Sequence, residues 1–146
     1  MTRLYECSVR YEKMHENGTV KKVTEQYLVD ALTFTEAEAR IIECVTPFIS
    51  GEFDVIAIKR TKYSEIVSND PNADKWFKAK LNFVTLNEVT GIEKKVPSFY
   101  IVNADSFDDA KDVLRDFMKG TVADYEVATL DETKIIDVFK LKINED

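Results

Sequence analysis

The chain has 146 residues, 45% of them hydrophobic and 32% charged, with 20 basic and 27 acidic side chains and a net charge of −7. That balance excludes a disordered polyelectrolyte, and a chain of this length can bury about 68–70% of its unfolded surface. The acidity also excludes a basic nucleic-acid module in either half: residues 1–72 carry 9 basic and 12 acidic side chains, and the remainder carry 11 and 15.

The first strand pattern places Tyr5, Cys7, Val9 and Tyr11 on one face and Glu6, Ser8 and Arg10 on the other. Asn17-Gly18 then closes a hairpin, because glycine tolerates the positive φ that tight turns need. The second strand puts Val23, Tyr27, Val29 and Ala31 on one face. Here the period changes to helical. Thr33 and Glu36 have the spacing of a capping box, and Phe34, Ala37, Ile41 and Val45 form an apolar stripe expected to face the core. Pro47 and Gly51 stop the helix. Strands are expected over Phe53–Ile58 and Tyr63–Val67. The run Ser68-Asn69-Asp70-Pro71-Asn72-Ala73-Asp74 is a polar joint, too short for a floppy linker.

After the joint the same programme starts again. Gly18–Ala37 aligns without gaps on Gly91–Ala110, and nine of the 20 positions are identical, among them Lys21/Lys94, Lys22/Lys95, Tyr27/Tyr100 and Phe34/Phe107. The second copy reads as a strand carrying Phe77, Ala79, Leu81 and Phe83, a turn at Thr90-Gly91, and a strand carrying Val96, Tyr100, Val102 and Ala104. A helix follows, capped by Ser106 with the stripe Phe107, Ala110, Leu114 and Phe117, and stopped by Gly120. Strands over Tyr125–Leu130 and Ile135–Leu141 complete it. The expected fold is α+β, a tandem duplication of a ββαββ unit. Residues 1–70 form the first repeat and 71–146 the second, packed together with pseudo-two-fold symmetry, antiparallel-rich sheets and two covering helices. One continuous sheet and two packed lobes both satisfy the pattern.

The segments Lys21–Ala31, Phe34–Ile41, Gly51-Glu52-Phe53, Ala57–Arg60, Tyr63-Ser64-Glu65 and Lys119–Glu126 resemble the domain-of-unknown-function family 4494 across nearly the whole chain. The resemblance implies an intracellular bacterial protein of the gut Bacteroidetes, linked to mobile or phage-derived DNA. It brings no catalytic residues.

The chemistry-bearing residues are few. Lys21-Lys22 and Lys94-Lys95 are repeated by the duplication, and Lys59, Arg60 and Lys62 add to the first copy. Together they are candidates for binding an anion or nucleic acid, while lysines on strand edges also discourage aggregation. Tyr63 and Trp76 flank the joint as candidate interface aromatics, with base stacking as the other use. His15 stands alone in a hairpin loop, too little for a zinc site or a catalytic triad. The acids Glu36, Glu38, Asp108, Asp109 and Asp112 open helices, where they favour the dipole. Glu93-Lys94-Lys95 contains a Glu-x-Lys but lacks the preceding acid of a metal-dependent nuclease.

Cys7 and Cys44, both on apolar positions, are expected as buried free thiols. No apolar run approaches the ~18 residues of a membrane helix, and the chain opens directly on a strand pattern, so no signal peptide is expected. The expectation is a cytoplasmic, non-enzymatic binding or regulatory protein without a cofactor. It would act through a protein partner or self-association, with nucleic-acid binding as the alternative and no membrane role.

Overall fold

The computed structural model describes residues 3–140. Strands β1 (Arg3–Met14) and β2 (Val20–Ala31) form a long antiparallel hairpin, paired from Arg3↔Ala31 to Met14↔Val20. Gly18 turns it at φ 82°, a conformation that side-chain-bearing residues rarely adopt. Helix α1 (Phe34–Val45) follows, then β3 (Phe53–Arg60) and β4 (Tyr63–Ser68). The second copy repeats the order: β5 (Lys75–Leu86), β6 (Glu93–Ala104), α2 (Phe107–Met118), β7 (Tyr125–Glu132) and β8 (Ile135–Phe139). Leu141, expected to end the last strand, lies outside the described residues.

The elements make two separate four-stranded sheets, ordered β3-β1-β2-β8 and β4-β6-β5-β7, which decides against one continuous sheet. Within each sheet the hairpin and the strand after the helix pair antiparallel, while β8 joins β2 and β4 joins β6 in parallel. The folded units are therefore not the sequence repeats. Among the described residues, the first unit comprises 3–61 with 134–140, and the second comprises 62–133. Each repeat sends its last strand to the other unit. The repeat boundary at residues 70/71 falls inside the second unit, between β4 and β5. What holds each exchanged strand is its own pairing. Phe139 of β8 stacks on Tyr27 with ring centroids 5.7 Å apart, and Val67 of β4 is buried in the second core.

Both helices begin as their sequences dictate. Thr33 Oγ1 accepts from Glu36 N at 3.1 Å, and Glu36 Oε2 accepts from Leu32 N at 3.4 Å. Ser106 Oγ and Asp109 Oδ2 repeat the arrangement, each accepting at 3.1 Å, from Asp109 N and Asp105 N respectively. Each such cap satisfies backbone donors that the helix leaves free.

In the first unit Ala37, Ile41 and Val45 lie against Tyr5, Cys7, Val9, Val29 and Ala31. In the second, Ala110, Val113, Leu114 and Met118 lie against Phe77, Ala79, Leu81, Val102 and Ala104. Burying a side chain such as Ile41, which is wholly buried, contributes about 1.5–3 kcal/mol.

The stripe expectation needs correcting at its ends. Phe34 is 47% exposed, Phe107 50% and Phe117 39%, while Val113 and Met118 take their place in the core. Phe34 and Phe107 are the first residues of their helices. Phe34 nonetheless reaches the core edge-on at Tyr5, with ring centroids 5.0 Å apart. Cys44 is likewise only partly buried, whereas Cys7 is fully buried.

The outer strands β3 and β7 each carry a one-residue bulge. Val9 pairs with Val55 and Ser8 with Ala57, leaving Ile56 extra; Leu81 pairs with Val127 and Lys80 with Thr129, leaving Ala128 extra. Bulges on edge strands interrupt the flat hydrogen-bonding row that invites aggregation.

Candidate binding arms and a helix–strand groove

The hairpins are longer than the sheets they belong to. Pairing of β1 with β3 stops at Tyr11↔Phe53, and β8 reaches β2 only from Gln26 onward. Beyond Tyr11 the first hairpin continues as a two-stranded ribbon, Glu12–Met14 against Val20–Lys22. In the second unit β7 reaches Phe83, and Val84 N donates to Asp124 O at 2.9 Å. The ribbon Thr85–Leu86 against Glu93–Lys94 continues past that point.

These ribbons carry the repeated lysines. Lys21 lies directly across from Lys13, a like-charge pairing that destabilises a sheet, eased by Lys13 Nζ lying 3.9 Å from Glu25 Oε2. Lys22 faces Glu12 and Lys94 faces Thr85. Lys95, at the root of the second ribbon, is held by Glu126 at 2.8 Å. That contact raises the lysine pKa and lowers the glutamate's; hydrogen bonding is the leading cause for each.

The ribbons also expose apolar side chains. Met14 is 72% exposed, Leu86 60%, Val89 94% and Ile92 65%. An isolated two-stranded hairpin is marginal in water, and apolar groups on it gain from a partner surface.

The remaining basic candidates do not join these lysines. Lys59 Nζ pairs with Glu6 Oε2 at 2.9 Å, and the Arg60 guanidinium lies 5.7 Å from the Phe34 ring centroid. On β1, Glu6 and Lys13 mark the two sites, so Lys59 and Lys21 are separated by about 24 Å of strand. Lys62 belongs to the second unit, just before β4. Trp76 is buried, 8% exposed, so it is not available to stack on a base. Its carbonyl accepts from both Thr133 N and Thr133 Oγ1 at 2.8 Å. Tyr63 is half-buried on β4, opposite Phe99 of β6.

Three further features escape the sequence. Tyr11 Oη and Tyr27 Oη both donate to Glu25 Oε1, at 2.7 and 3.1 Å. Burial, then the bond to Glu25, pushes Tyr11 up to about 12; burial and Glu25 also raise Tyr27. Alternation along β2 placed Glu25 beside Tyr27, but only the register brings in Tyr11. Both thiols are suppressed as nucleophiles, chiefly by burial, with Cys7 pushed up to about 12.

The second feature is a space of about 620 Å³ beside the first ribbon, lined by Arg10, Glu12, Lys22, Glu52 and Asp54 among others. In the second unit Asn82, Lys95 and Glu126 stand at the positions aligned with Arg10, Lys22 and Asp54, and there Glu126 accepts from Lys95 at 2.8 Å and from Asn82 at 3.4 Å. The third is a groove of about 360 Å³ between α2 and β7. Leu114, Met118 and Leu130 are among its apolar lining, with Lys111 and Arg115 at its edge.

Among the described residues, no helix is long and apolar enough to cross a membrane, and no group of three or more His, Cys, Asp or Glu is placed to hold a metal ion. Comparison with curated proteins finds no match. The profile of the family described as "Domain of unknown function (DUF4494)" matches residues 3–141, nearly the whole chain, and the protein belongs to that family.

Proposed function

We propose that the chain is a non-enzymatic binding or regulatory protein that docks a protein partner through its two ribbon arms. The observation that supports this reading is the exposure of Met14, Leu86, Val89 and Ile92 on ribbons that extend past their sheets. Charge favours a protein partner over a phosphate backbone. Residues 12–22 hold three lysines against two glutamates, and residues 84–95 hold two of each. Nearly neutral arms on an acidic chain release few counterions, whereas apolar side chains gain by leaving water.

A photo-crosslinking residue at Met14, Val89 or Ile92, in the cell that carries the gene, tests the reading. The expected result is a discrete polypeptide adduct that disappears, for the probes at Met14 and Val89, in a Leu86→Ser/Ile92→Ser variant. No adduct from any of the three positions would sink it.

The second reading is nucleic-acid binding, and one observation favours it. Lys21, Lys22 and Lys94 sit on two-stranded ribbons, with Lys95 at the root of the second, and such a ribbon is an element that the DNA major groove can admit. Fluorescence anisotropy with short DNA and RNA separates the two readings. Salt-sensitive binding that weakens when Lys21, Lys22, Lys94 and Lys95 are all changed to Ala would put this reading first.

A further inference from the structure

We propose that the groove between α2 and β7 is a binding site for a small amphipathic anion, a molecule with an apolar body and one negatively charged head. It is separate from the arms and does not depend on them. At about 360 Å³ the groove is in the range of small-molecule sites. Its floor includes Leu114 and Met118, 3% and 6% exposed, and Val127 and Phe107, each half-exposed, stand at its sides. An apolar body lying there would cover surface now in water.

The rim supplies the charge. Lys111 Nζ lies 5.9 Å from the Phe107 ring centroid, and Arg115 Nη1 lies 3.4 Å from Asp112 Oδ1. That Arg–Asp pair is well exposed, so it holds the guanidinium only weakly and leaves it available to a bound anion. Of the three carboxylates of β7, Glu126 is engaged with Lys95 and Asn82 and Glu132 with Lys75 at 3.5 Å, and Asp131 is not part of the groove's lining.

The duplication provides the comparison. The aligned positions in the first unit hold Glu38 and Ile42 instead of Lys111 and Arg115. There Phe34 packs edge-on against Tyr5, with centroids 5.0 Å apart, and is covered by Arg60. In the second unit the residue aligned with Tyr5 is Phe77, and Phe107 lines the groove. The second copy therefore sets two basic side chains on helix positions that are acidic and apolar in the first. That combination fits an anion with an apolar tail and would repel a cation.

The test uses the full chain and anilinonaphthalene sulfonate, which fluoresces when its apolar body leaves water. The expected result is saturable one-to-one binding that weakens at least about tenfold in a Lys111→Glu/Arg115→Glu variant. Both positions are exposed, so circular dichroism and the melting temperature should be unchanged. Phe34→Ala, in the other unit, should leave the affinity as it is. Decanoate should displace the probe, and decanol, its uncharged analogue, should compete far less well. Absence of saturable binding, an unchanged affinity in the charge-reversed variant, loss of binding in Phe34→Ala, or equal competition by decanol and decanoate would each overturn the proposal.

Discussion

Arg40 Nη2 of α1 lies 3.1 Å from Asp30 Oδ1 of β2, and the aligned positions in the second unit hold Val113 and Asn103. The two copies have solved one packing problem twice. In the first, a buried carboxylate is met by a guanidinium from the helix. In the second, Asn103 Nδ2 donates to Ala73 O at 3.0 Å and to Lys75 O at 2.9 Å, while Val113 adds to the apolar core. The expected outcome is that Arg40→Val alone lowers stability by about 1.5–3 kcal/mol, because the Asp30 charge stays buried without the guanidinium. Adding Asp30→Asn should recover most of that loss. Urea denaturation of the single and double variants measures the coupling, and a double variant no better than the single would show that the two positions are independent.

Tyr5 gives a second comparison of the copies. It is wholly buried, its hydroxyl has no hydrogen-bond partner, and the aligned residue is Phe77. A buried hydroxyl without a partner carries a desolvation penalty of about 1–3 kcal/mol. Tyr5→Phe should therefore leave the melting temperature unchanged or raise it, and Phe77→Tyr should lower it. A marked loss in Tyr5→Phe would show that the hydroxyl has a bonding role.

Phe34 and Phe107 are half-exposed, so their truncation should be mild. Phe34→Ala loses an edge contact with Tyr5 and the Arg60 cover, and should cost about 1–2 kcal/mol rather than the ~3–5 of a fully buried aromatic. Phe107→Ala, which loses the contact with Lys111 5.9 Å from its ring centroid, should cost less. Thermal melts of both variants check the order.

Stability should also fall at high pH through the Tyr11–Glu25–Tyr27 cluster. The Tyr11 pKa rises from 10.0 to about 12, so the folded state keeps a proton that the unfolded state releases. The contribution is complete below pH 10 and is lost as pH rises toward 12. Urea denaturation across this window should give a slope that Tyr11→Phe reduces. An equal slope in the variant would place the pH dependence elsewhere.

What the sequence reveals is what is decided locally. Asn17-Gly18, Thr33 with Glu36, and Ser106 with Asp109 each act within a few residues, and turns and caps stand where those residues put them. Phe34 and Phe107 mislead because they match the apolar spacing of the stripe yet stand at the first helical residue, where each stays about half-exposed. The lysine pairs are visible in the sequence, but their place beyond the end of the sheet depends on where β3 and β7 stop pairing. The α2–β7 groove is invisible for a similar reason, since its rim and far wall come from separate elements.

The exchange of last strands is the largest feature that local signals do not encode, because nothing in Tyr63–Ser68 or Ile135–Phe139 names the strand it will join. It has a direct consequence. Each unit combines strands from both sequence repeats, so cutting the chain between Ser68 and Asp74 should not separate it. The polar loop there is exposed apart from Ala73, and so suited to proteolysis or an engineered cleavage site. After cleavage the fragments should co-elute as one species with near-native circular dichroism, held by β8 on β2 and β4 on β6. Either fragment expressed alone lacks the strand that its sheet receives from the other, and should be unfolded or pair with a second copy of itself. Mixing the two should restore the one-to-one complex. Fragments that fold separately as monomers and do not associate would mean that each repeat can close its own sheet, and that the exchange does not hold the chain together.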